Sequence, residues 1–499
     1  MQNRAPSLCR KEPAVSQHRE RMSKVDTAWL RMDTDANLMM IIGVWFLRPG
    51  ITAEQLRERV AERLLGYPRF RQRVVEDPLM GAEWQLDPHF DIARHVVKEE
   101  LLPMRGQSRD DALRARVGEL AAQPLDPAHP LWQFQLIEDV GDGSSALIAR
   151  IHHCIADGIA LIAVMLSITD GGKPPPKPAA RSKPEPEDDH DWLMNAVLRP
   201  LSNLTVKAIG LAGGGLAKGV DKVMDAATQP PQPLDTSLEV ARLGYQAVSD
   251  VAAFALMPDD SHTRLKGKPG TQKRVAWDDG LLLDEVKVVG KALGASINDV
   301  LLSCVAGAIG RYLLDKGEDP AGKEIRAMVP VNLRPLEDAW KLGNRFGLVP
   351  LVLPIGIANP VERLFAVRAR MNELKGSFQP VMAFGLLSVA GLLIKPVQHA
   401  MLNIFAKKAT AVMTNVPGPA QALSFCGSTV EKVMFWVPQS GDIGMGVSIL
   451  TYAGKVQFGL ITDSGLCPDP EAIIANFAPE FERLLWLALM LPWGEQELD

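Results

Sequence analysis

Two adjacent histidines, followed by a carboxylate and a glycine, form the segment of this chain that is best suited to chemistry. His152 and His153 precede Asp157 and Gly158 in the sequence HHCIADG. A neutral imidazole with a pKa near neutrality can take a proton from an alcohol or thiol that attacks an acyl group, which typically accelerates a reaction by about 10²–10⁴-fold. Asp157 can fold back onto the loop, and Gly158 leaves room for a ligand. The segment therefore predicts a general base and the residues that hold it.

The flanking residues place the histidines between a strand and a helix. Two runs of β-compatible residues, 132–140 and 145–151, enclose the turn signal Gly141-Asp142-Gly143 and predict a hairpin whose second strand ends at the histidines. Because side chains alternate along a strand, His152 and His153 face opposite sides and have different roles. Beyond the motif, apolar residues recur at the spacing of a helix.

The histidine pair has three other interpretations. The two side chains could be buried structural histidines. A metal site fits less well, because it needs a third ligand and the chain contains neither an H-E-x-x-H nor a C-x-x-C motif. Cys154 could act as a nucleophile beside His153, although neighbouring side chains point apart on an extended chain. We therefore prefer a general base within the histidine pair and expect no metal.

Length, composition and charge exclude several classes of protein. The 499 residues suffice for two domains of about 200 residues each. A composition of 47% hydrophobic and 23% charged residues is that of a globular protein. The net charge of -5 argues against a nucleic-acid partner, since there is no basic excess to replace phosphate counterions. The five cysteines are odd in number and dispersed, which favours a reducing compartment.

The sequence contains no predicted secretory signal and no predicted membrane span. Residues 1–21 contain many charges and no apolar stretch, so they predict a disordered arm rather than a secretory signal. The longest apolar candidate, 381–394, is too short to span a bilayer. We expect a cytoplasmic protein without a transmembrane helix.

Two proline clusters divide the chain. The first, around Pro174 to Pro186, is a solvated linker, and the second, at Pro230 to Pro233, ends a helical segment. The predicted organisation is an arm at 1–21, an N-terminal domain with the histidine motif at 22–170, a proline-rich charged linker at 171–191, a helical connection at 192–260 and a C-terminal domain at 261–499. Within the last domain we predict helices at 282–293 and 296–314 and strands at 325–331, 348–353, 432–437, 446–452 and 455–462.

Motifs spread along the chain resemble those of one enzyme family. Together with HHxxxDG they are Met22-Ser23 through Asp26, Trp29-Leu30-Arg31-Met32, Pro124-Leu125-Asp126, Pro130-Leu131-Trp132, Asn298-Asp299, Pro330-Val331-Asn332-Leu333-Arg334, Gly343-Asn344-Arg345, Asn415-Val416-Pro417-Gly418-Pro419 and Gly444-Met445-Gly446-Val447-Ser448. Their order resembles that of the bacterial wax ester synthase/acyl-CoA:diacylglycerol acyltransferase family. This family belongs to the HHxxxDG superfamily, with chloramphenicol acetyltransferase and peptide-synthetase condensation domains.

The resemblance implies a fold and a reaction. The fold would be α/β, with two chloramphenicol-acetyltransferase-like domains of mixed sheets and helices and a substrate tunnel at their interface. The reaction would be ester-forming acyl transfer from acyl-CoA, as co-substrate, to diacylglycerol or a long-chain alcohol, with no cofactor. His153 matches the family's proton acceptor, and His152 and Asp157 match supporting positions, Asp157 through a salt bridge that holds the loop. Asn298 and Asp299 match a second motif.

Alternatives to these roles stay open. Asn298 and Asp299 lie in the first turn of a predicted helix, where such residues are common for structural reasons. A basic stretch at 262–274 could meet the phosphates of CoA or be a solvated loop. The acceptor could be another hydroxyl in complex-lipid assembly, or the chain could be a non-catalytic lipid-binding protein that coats storage lipid. Since the products are nearly insoluble, we expect peripheral contact with a membrane or lipid-droplet surface, with 192–224 as a candidate segment.

Overall fold

The first half of the chain folds as strands and helices around the histidine motif. The computed structural model describes residues 19–77, 81–173, 259–332, 342–344, 346–375 and 407–491. The elements of this half are β1 (Arg19–Arg21), α1 (Lys24–Arg31), β2 (Met40–Arg48), α2 (Ala53–Glu62), two short 3-10 turns (Leu64–Gly66 and Pro68–Phe70), β3 (Gln72–Asp77), β4 (Gly81–Leu86), α3 (Ile92–His95), β5 (Val96–Glu99), α4 (Arg109–Ala121), β6 (Trp132–Gly141), β7 (Ser144–His152) and α5 (Gly158–Ser167).

The second half follows the same mixed pattern. Its elements are β8 (Lys273–Trp277), β9 (Leu281–Leu282), α6 (Leu283–Ala292), α7 (Ile297–Asp315), β10 (Ile325–Asn332), β11 (Phe346–Leu353), α8 (Pro360–Lys375), β12 (Ala411–Pro417), β13 (Ser424–Phe425), β14 (Ser428–Trp436), β15 (Met445–Tyr452), β16 (Lys455–Asp463) and α9 (Pro470–Met490). The predicted strands and helices of this half are confirmed, with bounds that differ by up to four residues. The predicted linker and helical connection, 171–260, lie almost entirely outside the described residues.

Each half contributes one large sheet. The first sheet has the order β13-β14-β2-β7-β6-β5, and the second has the order β11-β10-β12-β15-β16-β8, with β9 also paired to β16. Strands β13 and β14 belong to the second half of the sequence, yet β14 pairs antiparallel with β2. The predicted domain boundary at residue 261 therefore does not separate the two sheets. Residues 424–436, which follow that boundary, pair with strands of the first sheet.

The central strand β7 carries the histidines into the interior. It pairs with both β2 and β6, and all nine of its residues are buried. Alternate side chains enter two cores: Leu147, Ala149 and Ile151 pack toward α5, and Ala146 and Ile148 pack toward α4 and Trp277. The predicted β6–β7 hairpin and the helix after the motif are both confirmed.

A long apolar helix fills the core of the second half. Among the described helices, α7 alone is long and apolar enough to cross a membrane by length and composition, and 78% of its most apolar window is buried inside the protein. It begins with the predicted cap: the Ser296 hydroxyl accepts from the Asp299 N–H, and the Asp299 carboxylate accepts from the Ser296 N–H at 2.8 Å. The burial and contacts are those of a core helix.

The first described strand lies in a region predicted to be a disordered arm. Residues 19–21 form β1 and pair antiparallel with 83–85 of β4, in a small sheet of order β1-β4-β3. The predicted arm, 1–21, therefore extends three residues too far, because these residues find backbone partners. Residues 1–18 lie outside the described part of the chain.

Candidate active site

The histidines lie in a buried loop between β7 and α5. The N–H of His153 donates to the carbonyl oxygen of Met39 at 2.7 Å, and the N–H of Ile155 donates to the carbonyl oxygen of His152 at 3.0 Å. Residues 152–157 are all buried. The predicted strand-to-helix junction is thus present, and its backbone is held from both sides.

His153 lies among aromatic rings. Its imidazole stacks on Trp29, with ring centroids 4.3 Å apart and an interplanar angle of 18°, and its centroid lies 5.3 Å from that of Phe346. Burial lowers the pKa of His153 to about 4, and the nearby Asp157 carboxylate only partly opposes this effect. The pKa is lowered because desolvation penalises the charged imidazolium. At neutral pH the ring is an unprotonated acceptor.

His152 is fixed at both ring nitrogens. Its Nδ1 accepts from the backbone N–H of Cys154 at 3.1 Å, and its Nε2 lies 3.2 Å from Oδ2 of Asp33. Since Nδ1 receives an N–H, the imidazole proton is placed on Nε2, where it is donated to Asp33. The other oxygen of Asp33 accepts from the N–H of Met39, whose carbonyl oxygen receives the His153 N–H. The His152 side chain therefore stabilises the loop that carries His153.

Asp157 begins helix α5. Its Oδ1 accepts from the backbone N–H of Ala160 at 2.8 Å, which makes it the N-cap residue, and its side chain is buried. Its own N–H donates to the carbonyl oxygen of Gly343 at 3.3 Å. The expected fold-back of Asp157 onto the histidine loop stays a prediction. The salt bridge implied by the family resemblance stays a prediction.

A segment of the second half runs beside the motif. Ala156 and Gly343 form a parallel β-bridge, and the N–H of Gly343 donates to the carbonyl oxygen of Ile155 at 3.3 Å. The next residue, Asn344, donates through Nδ2 to the carbonyl oxygen of His153 at 2.8 Å and to Oδ1 of Asp26 at 2.7 Å. Asn344 and Asp26, 318 positions apart, thus meet beside the histidine loop.

Asp26 joins three parts of the site. It is buried, and its Oδ1 also accepts from the backbone N–H of Asn344 at 3.1 Å. Its Oδ2 pairs with Nη1 of Arg69 at 3.0 Å, and the Arg69 guanidinium lies over the Trp84 ring at 4.7 Å. Sequence reasoning gave Asp26, Arg69 and Asn344 no role. Two of them lie in motifs quoted for the family resemblance, which was the only available signal.

The second motif has a structural explanation in part. Asp299 is the third residue of helix α7 and completes its capping box with Ser296. Asn298 accepts from Nδ2 of Asn415 at 3.0 Å, so two of the motifs meet. A direct role for Asn298 and Asp299 in chemistry stays a prediction.

An apolar pocket opens beside the motif. Its volume is about 100 Å³, and its lining includes Gly158, Leu161 and Met165 of α5 and Trp45 and Phe435 of the first sheet. A Cβ placed on Gly158 would meet no atom within 4 Å, which agrees with the expected space for a ligand. The lining residues of the pocket are mainly apolar.

A wider, charged depression lies elsewhere. Its volume is about 780 Å³ and its lining includes Arg48 and Asp142. Met40 pairs with His152, and Arg48 is eight residues further along β2, or about 26 Å away at the usual rise of a strand. We therefore place the chemistry at the histidines, not in this depression.

The other predicted sites concern a metal ion and the basic stretch at 262–274. Among the described residues, no group of three or more His, Cys, Asp or Glu side chains could hold a metal ion. Within the basic stretch, the Lys273 ammonium donates to Oδ1 of Asn37 at 2.8 Å beside Asp463, and the Lys266 ammonium donates to the carbonyl oxygen of Ala409. These contacts favour a packed segment over a phosphate site for those two lysines. The stretch as a CoA contact stays a prediction.

Two family models match the chain over most of its length. The model of the wax ester synthase/diacylglycerol acyltransferase catalytic domain matches residues 22–301, and the WS/DGAT C-terminal domain model matches residues 342–485. A curated relative in Mycobacterium tuberculosis H37Rv, "Probable diacyglycerol O-acyltransferase tgs1", is 26% identical over 473 residues, covering 93% of this chain and 95% of the relative. Its paralogue tgs2 is 24% identical over 484 residues, with 92% and 97% covered.

Solved structures share the fold. The wax ester synthase/diacylglycerol acyltransferase from Marinobacter aquaeolei VT8 superposes with a TM-score of 0.64 at 19% identity, covering 94% of this chain and 100% of that one. The first condensation domain of the calcium-dependent antibiotic synthetase gives a TM-score of 0.54 at 14% identity, with 94% and 96% covered. The predicted α/β fold with two chloramphenicol-acetyltransferase-like domains is confirmed. The predicted substrate tunnel stays a prediction.

Proposed function

This chain belongs to the wax ester synthase/diacylglycerol acyltransferase family, and we propose from its site that His153 is the general base of its acyl transfer. The chain is an O-acyltransferase that forms triacylglycerol from diacylglycerol, wax esters from long-chain alcohols, or both. The observation that supports the base is the buried, stacked imidazole of His153, which is unprotonated at neutral pH.

The proposed reaction needs only a proton acceptor and two oriented substrates. His153 takes the proton of the acceptor hydroxyl as its oxygen attacks the thioester carbonyl of acyl-CoA. The tetrahedral intermediate then collapses, the carbon–sulfur bond breaks, and the proton passes from the imidazolium to the CoA thiolate. Because burial penalises the imidazolium, a compensating charge is required, and the Asp157 carboxylate supplies a favourable field at His153.

The apolar pocket beside Gly158 supports a fatty acyl substrate. Apolar side chains dominate its lining, and the residue that separates it from the histidine loop has no side chain. Burial of an acyl chain contributes about 0.8 kcal/mol for each CH₂ removed from water. In this proposal the acyl chain of the substrate lies along α5, and its thioester carbonyl lies beside His153.

Turnover with defined substrates tests this function. Purified protein with palmitoyl-CoA is expected to release CoA thiol only when hexadecanol or dioleoylglycerol is present, with the matching ester found by mass spectrometry. Hydrolysis without an acceptor serves as the blank. Acyl-CoA or lipid binding without turnover on either acceptor would indicate the non-catalytic lipid-binding alternative, and turnover only with another hydroxyl lipid would indicate complex-lipid assembly.

We also propose that the enzyme reaches its lipid substrates by peripheral contact with a lipid surface. The last two turns of α9, residues 484–490, carry no charged residue. Leu484 and Ala488 pack into the core, whereas Trp486 and Met490 are 62% and 77% exposed. Such a two-faced helix end, with a tryptophan on its outer face, suits the boundary between acyl chains and headgroups. The segment 192–224, also predicted for this contact, lies outside the described residues.

Serine substitutions test the α9 surface. The triple variant Trp486→Ser, Leu489→Ser and Met490→Ser is expected to lower co-sedimentation with vesicles of phosphatidylcholine and dioleoylglycerol several-fold, with the melting temperature nearly unchanged, because exposed side chains add little to folding. Leu102→Ser with Met104→Ser is the control, since these apolar residues are also highly exposed, at 80% and 72%, but lie outside α9. A third variant, with Trp192, Leu193 and Leu198 replaced by serine, tests the segment 192–224 in the same assay. Equal binding of the α9 variant and wild type, or a large fall in melting temperature, would contradict the proposal.

A further inference from the structure

We propose that Asn344 is a positioning residue that holds the proton of the His153 imidazole on Nδ1, so that Nε2 faces the acceptor hydroxyl. The inference rests on the proposed role of His153 as a base. Asn344 is 5% exposed and belongs to the second half of the chain, yet its side chain reaches the backbone of the histidine loop. Asn344 touches no reacting atom in this proposal and acts only through the imidazole.

The orientation of the Asn344 amide follows from its partners. Its Nδ2 donates to two oxygen acceptors, Oδ1 of Asp26 and the carbonyl oxygen of His153. Turning the amide over would bring Oδ1 against both oxygens, which is unfavourable. The amide is therefore fixed with Oδ1 as its remaining polar atom.

Two buried polar atoms at this place lack a hydrogen bond of ordinary geometry. Oδ1 of Asn344 and Nδ1 of His153 both have no such partner among the described residues. One is an acceptor and the other can donate, and an unsatisfied buried polar group typically costs about 1–3 kcal/mol. Burial lowers the pKa of His153, while hydrogen bonding to its own backbone and to the Asn344 side chain opposes that effect. In this proposal a proton on Nδ1 is directed at these two acceptors, which would otherwise favour no tautomer.

The support for Asn344 comes from helix α1. Asp26 receives two hydrogen bonds from Asn344 and an ion pair from Arg69, and one turn later Trp29 stacks on the His153 ring. One helix therefore fixes both the plane of the imidazole and the amide beside it.

An uncharged amide suits this position better than a carboxylate. Asp26 is 1% exposed and already accepts from both nitrogens of Asn344. A second carboxylate at residue 344 would lose the Nδ2 donors and lie against Asp26 without compensation. An amide orders the ring without adding charge, which leaves the imidazole unprotonated at neutral pH.

The test compares Asn344→Leu, which keeps the approximate size but removes the hydrogen bonds, with wild type. We expect kcat to fall about 10–10²-fold and KM for acyl-CoA to change less than about threefold, because a misplaced proton removes the base without removing substrate contacts. Loss of the acceptors lowers the pKa of the imidazole, so the acid limb of the residual kcat/KM profile should move to lower pH. Asn476→Leu, on the outer part of α9, is the matched control, because its amide bonds only its own helix.

Nitrogen-15 shifts of selectively labelled histidine give a readout that does not depend on turnover. The His153 signal, assigned with His153→Gln, should show Nδ1–H in wild type and a growing Nε2–H population in Asn344→Leu. An Nε2–H tautomer in wild type would overturn the inference even if no variant folds. If Asn344→Leu shifts the tautomer as expected but His153→Gln is fully active, the proposed function is refuted. The positioning role of Asn344 then still stands.

Discussion

Replacing His153 with alanine is expected to lower acceptor-dependent release of CoA thiol by about 10²-fold or more while the protein stays folded. A positioned base typically contributes about 10²–10⁴-fold, and alanine leaves no group in its place to take the hydroxyl proton. The backbone hydrogen bond from residue 153 to Met39 does not depend on the side chain. The variant loses the packing of the imidazole against Trp29, which alanine does not replace.

His152→Ala is the matched control for this prediction. It removes an equally buried imidazole from the adjacent position, but one whose nitrogens are engaged by Cys154 and Asp33. We expect a smaller loss of turnover and a larger loss of thermal stability than for His153→Ala, measured by steady-state kinetics and melting curves on the same preparations. Near-normal turnover in folded His153→Ala protein would end the proposed mechanism.

Local signals in the sequence were sufficient to predict the elements that hold the histidines. The turn between β6 and β7, the cap of α7 at Ser296 and the hairpin at Ala453-Gly454 depend on neighbouring residues only. Ala453 and Gly454 both adopt positive φ, at 48° and 76°, as the favoured two-residue hairpin turns require. Such features can be predicted because their cause lies within a few residues.

Contacts between distant parts of the chain could not be predicted in this way. Strand β14 leaves the second half to pair with β2, and Asn344 reaches both Asp26 and the carbonyl of His153. Neither has a local signature, since an asparagine after a glycine first indicates a turn. The lowered pKa of His153 has no local signature either. Its lowered value results from burial by Trp29 and Phe346, which are far apart in the sequence.

The base therefore belongs to neither half alone. The first half supplies the histidine loop and the stacking ring of Trp29, and the second half supplies Phe346 and Asn344. A small movement between the two would alter the plane and hydrogen bonding of the imidazole before it altered the fold. Substrates that contact both halves would be coupled to the geometry of the base through this arrangement.

Asp157→Ala is expected to cost about 3–5 kcal/mol of folding free energy, because it removes the cap of α5 and one partner of the buried salt bridge that the family resemblance implies. The loss of the helix cap alone typically accounts for about 0.5–2 kcal/mol of this. The variant protein should be poorly soluble or should melt at a lower temperature than wild type.

Asp157→Asn is the discriminating partner: asparagine caps a helix as well as aspartate, so this variant should keep most of the stability. It should nevertheless lose turnover, since the carboxylate that favours the His153 imidazolium is gone. If Asp157→Ala were fully stable yet inactive, the carboxylate would be a direct participant in the chemistry rather than the residue that holds the loop.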